Sequence, residues 1–250
     1  RENVIRRELK LYPGDVFSRS KLMRSQRDIW ILNYFDNVIP DVTPISDDKV
    51  NLDFVVEEKK STQRINANLG FTGEYGITGG AGVEFDNFRG KGQKLNIGAS
   101  TGTNFSIYTT QEPSKYRSLN ISFQDPMIND SPYLVGASIF YSFRGSSTNY
   151  YFPLDFTVGG AVASFGRRLE WPDDFFRVMW SAKFMQKEYE GSQSDIDNYI
   201  GGLEKTRGIS LSQVLSRDSR NRAEFPTNGS TFILENTYSG GFLGGNENFQ

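Results

Sequence analysis

The sequence contains no histidine and no cysteine among its 250 residues. Without these side chains, Ser-His-Asp catalysis, Cys-His catalysis and histidine-based metal sites are excluded from this stretch. No two carboxylates have a spacing that specifies acid-base work. We therefore expect no enzyme activity, no catalytic residue, no metal ligand and no cofactor here.

Long apolar runs are also missing. The mean hydropathy is −0.50, and no run of about 18 apolar residues exists, which excludes a transmembrane helix. The net charge is −2, and no polybasic block is present, which argues against nucleic acid as a partner. No signal peptide is visible in this sequence, which opens on Arg1 already in a helical pattern.

Alternation of apolar and polar residues is the strongest pattern that is present. It runs through Ile65–Thr72 and recurs at Ile77–Phe85, Leu95–Ala99 and Leu119–Gln124. A period of two places alternate side chains on opposite faces of a strand. The pattern predicts nine strands at residues 63–73, 76–86, 93–104, 116–125, 132–144, 155–168, 175–189, 207–217 and 229–240.

Strand length and turn spacing favour a transmembrane β-barrel over a soluble sandwich. Bacterial single-chain barrels close with an even number of strands, so nine strands indicate part of a longer barrel. Compact turns at 87–92, 125–130 and 170–174 alternate with longer links at 105–115, 145–154 and 190–206. Short turns are periplasmic in such barrels, so the longer links are predicted at the cell surface.

Residues 1–60 have a different pattern. Val4, Ile5 and Leu9 form the stripe of a short helix, and Ser18 is expected to cap a second helix with Leu22, Ile29 and Leu32 on one face. Strands follow at 38–45 and 50–56. The predicted domains are therefore a small α/β module at 1–60 and a barrel portion at 61–250.

These residues resemble a known family. Residues 4–38, VIRRELKLYPGDVFSRSKLMRSQRDIWILNYFDNV, are similar to the last POTRA module of the BamA family of outer-membrane assembly factors. The likeness continues in VVEEKK at 55–60, FDNFRGKGQKLNI at 85–97 and SRDSRNRAEFPTNGSTF at 216–232. The resemblance implies a fold that is mainly β: an antiparallel transmembrane barrel, with about nine of some 16 strands present, after a POTRA module that lacks its first strand.

The resemblance also implies a function without covalent chemistry or nucleotide. Members insert other barrels into the outer membrane or secrete polypeptides. The implied partners are nascent outer-membrane β-barrel proteins, the lipid bilayer and periplasmic accessory lipoproteins, with the POTRA module in the periplasm. A TamA-like or two-partner-secretion pore, and a passive porin-like channel, are the alternatives.

Two groups of site residues follow. The first strand is the family's lateral gate, where a substrate strand can pair; its residues here are Ile65, Asn66, Ala67, Asn68, Leu69 and Gly70. A charged cluster after the eighth strand is either an exposed turn or a contact patch for the POTRA module or lipoproteins, and consists of Arg217, Asp218, Arg220 and Arg222. The family's Arg-Gly-aromatic loop is not present at 206–209.

Three further expectations concern the barrel interior. The mixed phase of strand 155–168 predicts a bulge near Gly159 and Gly160. Glu84 and Glu235 are expected to point inward and to pair with inward arginines such as Arg167. The glycine-rich stretch 76–82 and the Asp195 loop are assigned to a strand and a surface loop rather than to phosphate or calcium sites.

Overall fold

The computed structural model describes residues 2–72, 76–103, 115–146, 152–220 and 226–246. The first module contains helices α1 (Glu2–Arg6) and α2 (Arg19–Ile31), followed by strands β1 (Phe35–Ser46) and β2 (Lys49–Glu58). The predicted order of helix, helix, strand, strand is confirmed. The two strands form an antiparallel hairpin, and the module's core consists of Val4, Ile29, Tyr34, Phe35 and Val38.

Helix α2 buries the face that its sequence predicts, with Leu22 and Ile29 both buried. Ser18 occupies the N-cap position, but its side chain makes no capping hydrogen bond. Its hydroxyl lies 3.0 Å from the hydroxyl of Ser20 instead. The expected side-chain cap is therefore wrong, because a neighbouring hydroxyl competes for the same oxygen.

The second part is one nine-stranded antiparallel sheet in which each strand pairs with the next along the chain. All nine predicted strands are confirmed, with ends that differ by no more than two residues. Their bounds are β3 (Gln63–Thr72), β4 (Gly76–Phe88), β5 (Gln93–Thr103), β6 (Lys115–Asp125), β7 (Tyr133–Arg144), β8 (Asp155–Arg168), β9 (Phe176–Glu190), β10 (Lys205–Asp218) and β11 (Thr231–Ser239).

The register gives the sheet an apolar face and a polar face. One cross-strand row of the apolar face contains Ile65, Val83, Ile97, Ile121, Ile139, Ala161, Phe184 and Ile209. The adjacent row of the polar face contains Arg64, Glu84, Asn96, Ser122, Ser138, Val162, Lys183 and Ser210. Such a division is typical of a sheet with hydrocarbon on one side and water on the other.

No bulge occurs near Gly159 and Gly160. Strand β8 pairs continuously with β7 and with β9 through both glycines, so that prediction is wrong. The strand keeps one phase, which places Val158 and Val162 on the polar face and Phe165 on the apolar face. Phe140 is a further apolar side chain on the polar face, and its ring lies where a Cβ on Gly160 would stand.

The link between β9 and β10 contains helix α3 (Gln193–Ile200). Ser192 is its N-cap residue, and Gly201, in the left-handed region, is its C-cap residue. Ile196 is buried, as is Leu154 just before β8. The predicted links at 105–115 and 145–154 lie largely outside the described residues. None of the helices in the described ranges is long and apolar enough to cross a membrane.

Candidate functional site

Strand β3 is the first candidate site, because it forms one edge of the sheet. It pairs with β4 along its whole length, and no other described strand pairs with its second edge. All ten of its residues are exposed. The edge therefore presents backbone donors and acceptors that a further strand can use.

The predicted gate residues divide between the two faces of this edge strand. Ile65, Ala67 and Leu69 follow the apolar face, and Asn66, Asn68 and Gly70 follow the polar face. Ile65 and Leu69 are 80% and 83% exposed, so neither is covered by the rest of the described chain.

Glu84 does point to the polar face, but its partner differs from the expected one. Its carboxylate lies 2.9 Å from the guanidinium of Arg64, which also contacts Asp86 at 3.1 Å. Arg167 lies opposite Tyr133 on the apolar face, so the predicted inward pairing with Arg167 is wrong. Glu235 lies on the polar face opposite Val214.

The second candidate site is the rim where the first module meets the short turns of the sheet. The Asn3 side-chain amide donates to Asp130 at 3.0 Å, and Arg7 donates to the carbonyl of Lys91 at 3.4 Å. Glu8, which is buried, lies 3.4 Å from Arg168. The module therefore docks on the end of the sheet that carries the compact turns.

Tyr34 and Gly92 form a second contact at this rim. The Tyr34 hydroxyl donates to the carbonyl of Asp86 at 2.9 Å and to that of Gly92 at 3.4 Å. Burial raises the pKa of Tyr34 to about 12, so the hydroxyl keeps its proton and remains a donor. Gly92 has φ +71°, and the guanidinium of Arg7 occupies the space where a Cβ would stand.

Phe175 is the centre of the contact between α2 and the turn after β8. Arg24, Arg27 and Arg217 place their guanidinium carbons 4.2, 5.3 and 5.5 Å from its ring centroid. Cations over an aromatic face are attracted by the ring quadrupole. One ring thus links two arginines of the module to one of the sheet.

Asp174 and Asp173 supply the negative charge beside this ring. Asp174 pairs with Arg24 and, at 3.3 Å, with Lys10. Burial opposes the ionisation of Asp174, but the positive charges of Arg24 and Lys10 outweigh it and lower the pKa of the carboxyl below its usual value. Asp173 lies 2.9 Å from Arg217.

The structure places most of the predicted charged patch at the rim. Arg217 stacks on Phe175 and pairs with Asp173, as described above, and the carbonyl of Arg220 accepts a hydrogen bond from Arg27. Asp218 forms a 2.7 Å ion pair with the Arg220 side chain. Arg222 lies outside the described residues.

Sequence reasoning missed the partners of this patch. Asp174 was assigned to a compact turn and Phe175 to the start of the next strand, and no role was predicted for Arg24 or Arg27. The two arginines three positions apart on one helix face are a weak signal for a shared partner. Which turn they meet depends on how the module lies against the sheet.

A two-layer POTRA-like module docked on the turns of a two-faced antiparallel sheet defines a class, the outer-membrane barrels with POTRA modules. The Omp85 superfamily domain matches residues 87–250, and the POTRA family, described as a surface antigen variable number repeat, matches residues 1–59. The chain belongs to the Omp85 superfamily, and its resemblance to the BamA family is confirmed.

Curated relatives agree with this assignment. A putative outer membrane protein assembly factor of Treponema pallidum is 34% identical over 54% of the chain and 16% of that protein. The outer membrane protein assembly factor BamA of Nitratidesulfovibrio vulgaris is 27% identical over 100% of the chain and 29% of its own length. The chain therefore spans less than a third of these relatives.

The crystal structure of BamA from Haemophilus ducreyi lacking POTRA domains 1–3 has the same fold. It superimposes with a TM-score of 0.65 and 18% identity, covering 96% of this chain and 46% of that one. The chain thus spans just under half the length of a chain with the same fold. Among the described residues, no group of carboxylates is placed to hold a metal ion.

Proposed function

We propose that this chain is part of an outer-membrane assembly factor that inserts nascent β-barrel proteins, and that β3 is the strand on which they pair. The observation that carries the proposal is the edge of β3, which is exposed over ten residues and unpaired within the described chain. An incoming strand gains main-chain hydrogen bonds there by β-augmentation. Such a mechanism requires neither a catalytic residue nor a cofactor.

The composition of β3 supports a strand that can exchange partners. Gly70 weakens the strand interior because it adds no side-chain packing. Asn66 and Asn68 keep the polar face hydrated, while Ile65 and Leu69 can contact lipid. A substrate strand on this edge would continue both faces of the sheet without burying a polar side chain in hydrocarbon.

We place the first module in the periplasm and the sheet in the outer membrane. The docking of the module on the short-turn end supports this orientation, since short turns are periplasmic in bacterial barrels. The contacts of Arg217 and Arg220 support the chain's own module as the partner of the charged patch. Accessory lipoproteins remain proposed partners of the module's other surfaces.

Cysteine crosslinking in the full-length protein tests the proposal. Cysteines replacing Asn66 or Asn68 should crosslink to the last strand of a stalled substrate barrel. Asn96→Cys is the matched control: it lies on the same polar face, but β5 is paired on both sides and should give no crosslink.

A disulfide that joins β3 to the last strand of the barrel, in the full-length protein, provides the functional test. The locked protein should fold and reach the membrane but stop inserting substrates, and reduction should restore insertion. Insertion at the normal rate by the locked protein would rule out β3 as the pairing site. If the unlocked protein conducts solutes but its removal leaves the insertion of other barrels unchanged, a passive channel would be favoured instead.

A further inference from the structure

A row of stacked aromatic rings crosses three strands on the apolar face near the short-turn end. Tyr133 and Phe165 stack with centroids 5.7 Å apart, and Phe165 and Trp180 stack at 6.2 Å. Phe165 and Trp180 are each nearly half exposed. Tyrosine and tryptophan are enriched where a barrel surface meets the lipid headgroups.

Arg167 lies on the same face, one row nearer to the turns than Phe165. It pairs across the strands with Tyr133, and its guanidinium carbon is 5.4 Å from that ring's centroid. In the described ranges, no carboxylate lies within 4 Å of Arg167. Its neighbour Arg168, on the other face, is by contrast paired with the buried Glu8.

An arginine without a counter-ion on a lipid-facing surface limits how far from the membrane interface that part of the surface can lie. Such a side chain is strongly unfavourable at the bilayer midplane and nearly neutral at the interface. The aromatic row beside it has the same preference for the interface. The anion available at that depth is the phosphate of a lipid headgroup, and the planar guanidinium matches phosphate oxygens in geometry.

A second cation–aromatic pair lies at another short turn. Arg89, exposed in the turn after β4, lies with its guanidinium carbon 5.8 Å from the ring centroid of Phe88. Phe88 in turn packs edge-to-face on Phe85 at 5.9 Å. Both cation–aromatic pairs lie at the end of the sheet where the first module docks.

We propose that Arg167, seated on Tyr133 and flanked by Phe165 and Trp180, binds the phosphate of a phospholipid headgroup in the leaflet on the short-turn side. This inference rests on the proposed membrane location of the sheet. The aromatic row sets the depth of the site, and the arginine supplies the charge. The site fixes the depth of the barrel in the bilayer.

Lipid binding to the full-length protein in detergent tests the proposal. Phosphatidylglycerol is titrated into delipidated protein, and bound lipid is counted by native mass spectrometry. Arg167→Gln should weaken the tightest bound lipid about fivefold, and Arg167→Lys should weaken it less. Lys183→Gln is the matched control, because Lys183 lies 5.3 Å from the Phe140 ring on the polar face; it should leave binding unchanged.

Inorganic phosphate at millimolar concentration should not compete, since free phosphate lacks the membrane contacts. Equal lipid affinity of Arg167→Gln and the unmodified protein would overturn the proposal, as would competition by inorganic phosphate. Retention of a protein partner in place of lipid would also overturn it. Heat-modified mobility on gels confirms that each variant is folded.

A depth measurement provides a test that leaves Arg167 unchanged. Nitroxide labels at Val135, which pairs with Phe165, and at Ile139, two rows away, are compared in phospholipid nanodiscs by oxygen and nickel accessibility. Val135 should lie at headgroup level and Ile139 deeper. Equal depths would contradict the proposed lipid site and leave the crosslinking test of β3 unaffected. If neither label enters lipid, the proposed membrane location of the sheet is itself wrong.

Discussion

At the residue scale, the rim depends on side chains that fill space left by glycine. Gly92 is the sharpest case, because it combines a left-handed φ of +71° with the guanidinium of Arg7 at the position of a missing Cβ. Arg7 is itself almost fully buried, with a side chain 6% exposed. The turn after β4 and the first helix therefore constrain each other through one residue.

We predict that Gly92→Ala destabilises the docked module more than an equivalent change elsewhere. Gly14→Ala is the control, since Gly14 has φ +95° but no atom within 4 Å of its Cβ position. Gly14→Ala should cost about 1–2 kcal/mol from backbone strain. Gly92→Ala should cost at least about 1 kcal/mol more, because Arg7 must move. Urea unfolding midpoints in detergent measure both; equal losses would show that the Arg7 contact contributes nothing.

At the element scale, α2 and the turn after β8 form one electrostatic unit. Arg24 and Lys10 of the module meet Asp174, and Arg24, Arg27 and Arg217 share the ring of Phe175. Such a contact has charge on both sides. Its strength therefore depends on the ionisation of Asp174.

We predict that docking of the module weakens in acid. The folded-state pKa of Asp174 is lowered from its ordinary 3.8, so its contribution is complete above that value and is lost as the pH falls through the folded-state pKa. Spin labels on Asp47→Cys and Ile128→Cys, in a chain without other cysteines, should report a broader distance distribution below about pH 4 than at pH 7.

Asp174→Asn should give the broader distribution already at pH 7 and remove its pH dependence in this range. Asp41→Asn, an exposed change on β1, should behave like the unmodified protein. A distribution for Asp174→Asn that still narrows between pH 3 and pH 7, to the same extent as the unmodified protein, would assign the dependence to another carboxyl group.

At the scale of the whole molecule, the two faces of the sheet have different surroundings in the proposed function. We predict that Ile97→Arg, in the apolar row, destabilises the folded barrel in lipid by about 2–4 kcal/mol. Asn96→Arg, its neighbour on the polar face, should cost much less. Unfolding titrations in liposomes compare the two variants; equal costs would favour a soluble sandwich.

The orientation of the molecule gives a second prediction at this scale. Asn198→Cys, exposed on α3, should react with an impermeant maleimide in intact cells, whereas Ser61→Cys, in the joint between module and sheet, should not. Ser192, which lies in the same link, is a less suitable position for the cysteine. Its hydroxyl accepts a hydrogen bond from the Asp195 backbone and caps α3. Labelling at position 61 but not at position 198 would indicate the opposite orientation in the membrane. Loop length would then no longer support a periplasmic first module.

The strands of this protein are visible in its local sequence. The period-two pattern alone determined the nine strands, and the compact turns at 87–92, 125–130 and 170–174 restrict the register of the strand pairs that they join. In β9 the apolar residues alternate at even-numbered positions, and Val178 and Trp180 accordingly lie on the apolar face with Phe165 and Arg167. These features depend on near neighbours in the chain, whose effect is visible in local sequence.

Contacts between distant residues were decided only by the tertiary structure. The face of Arg167 is one example: continuous pairing of β8 with both neighbouring strands places it on the apolar face with Phe165, and not inward beside Glu84. The meeting of Arg24 and Arg27 with Phe175 is likewise absent from any local pattern. It depends on how a separate module lies on the turns, and a one-dimensional periodicity contains no information about that placement.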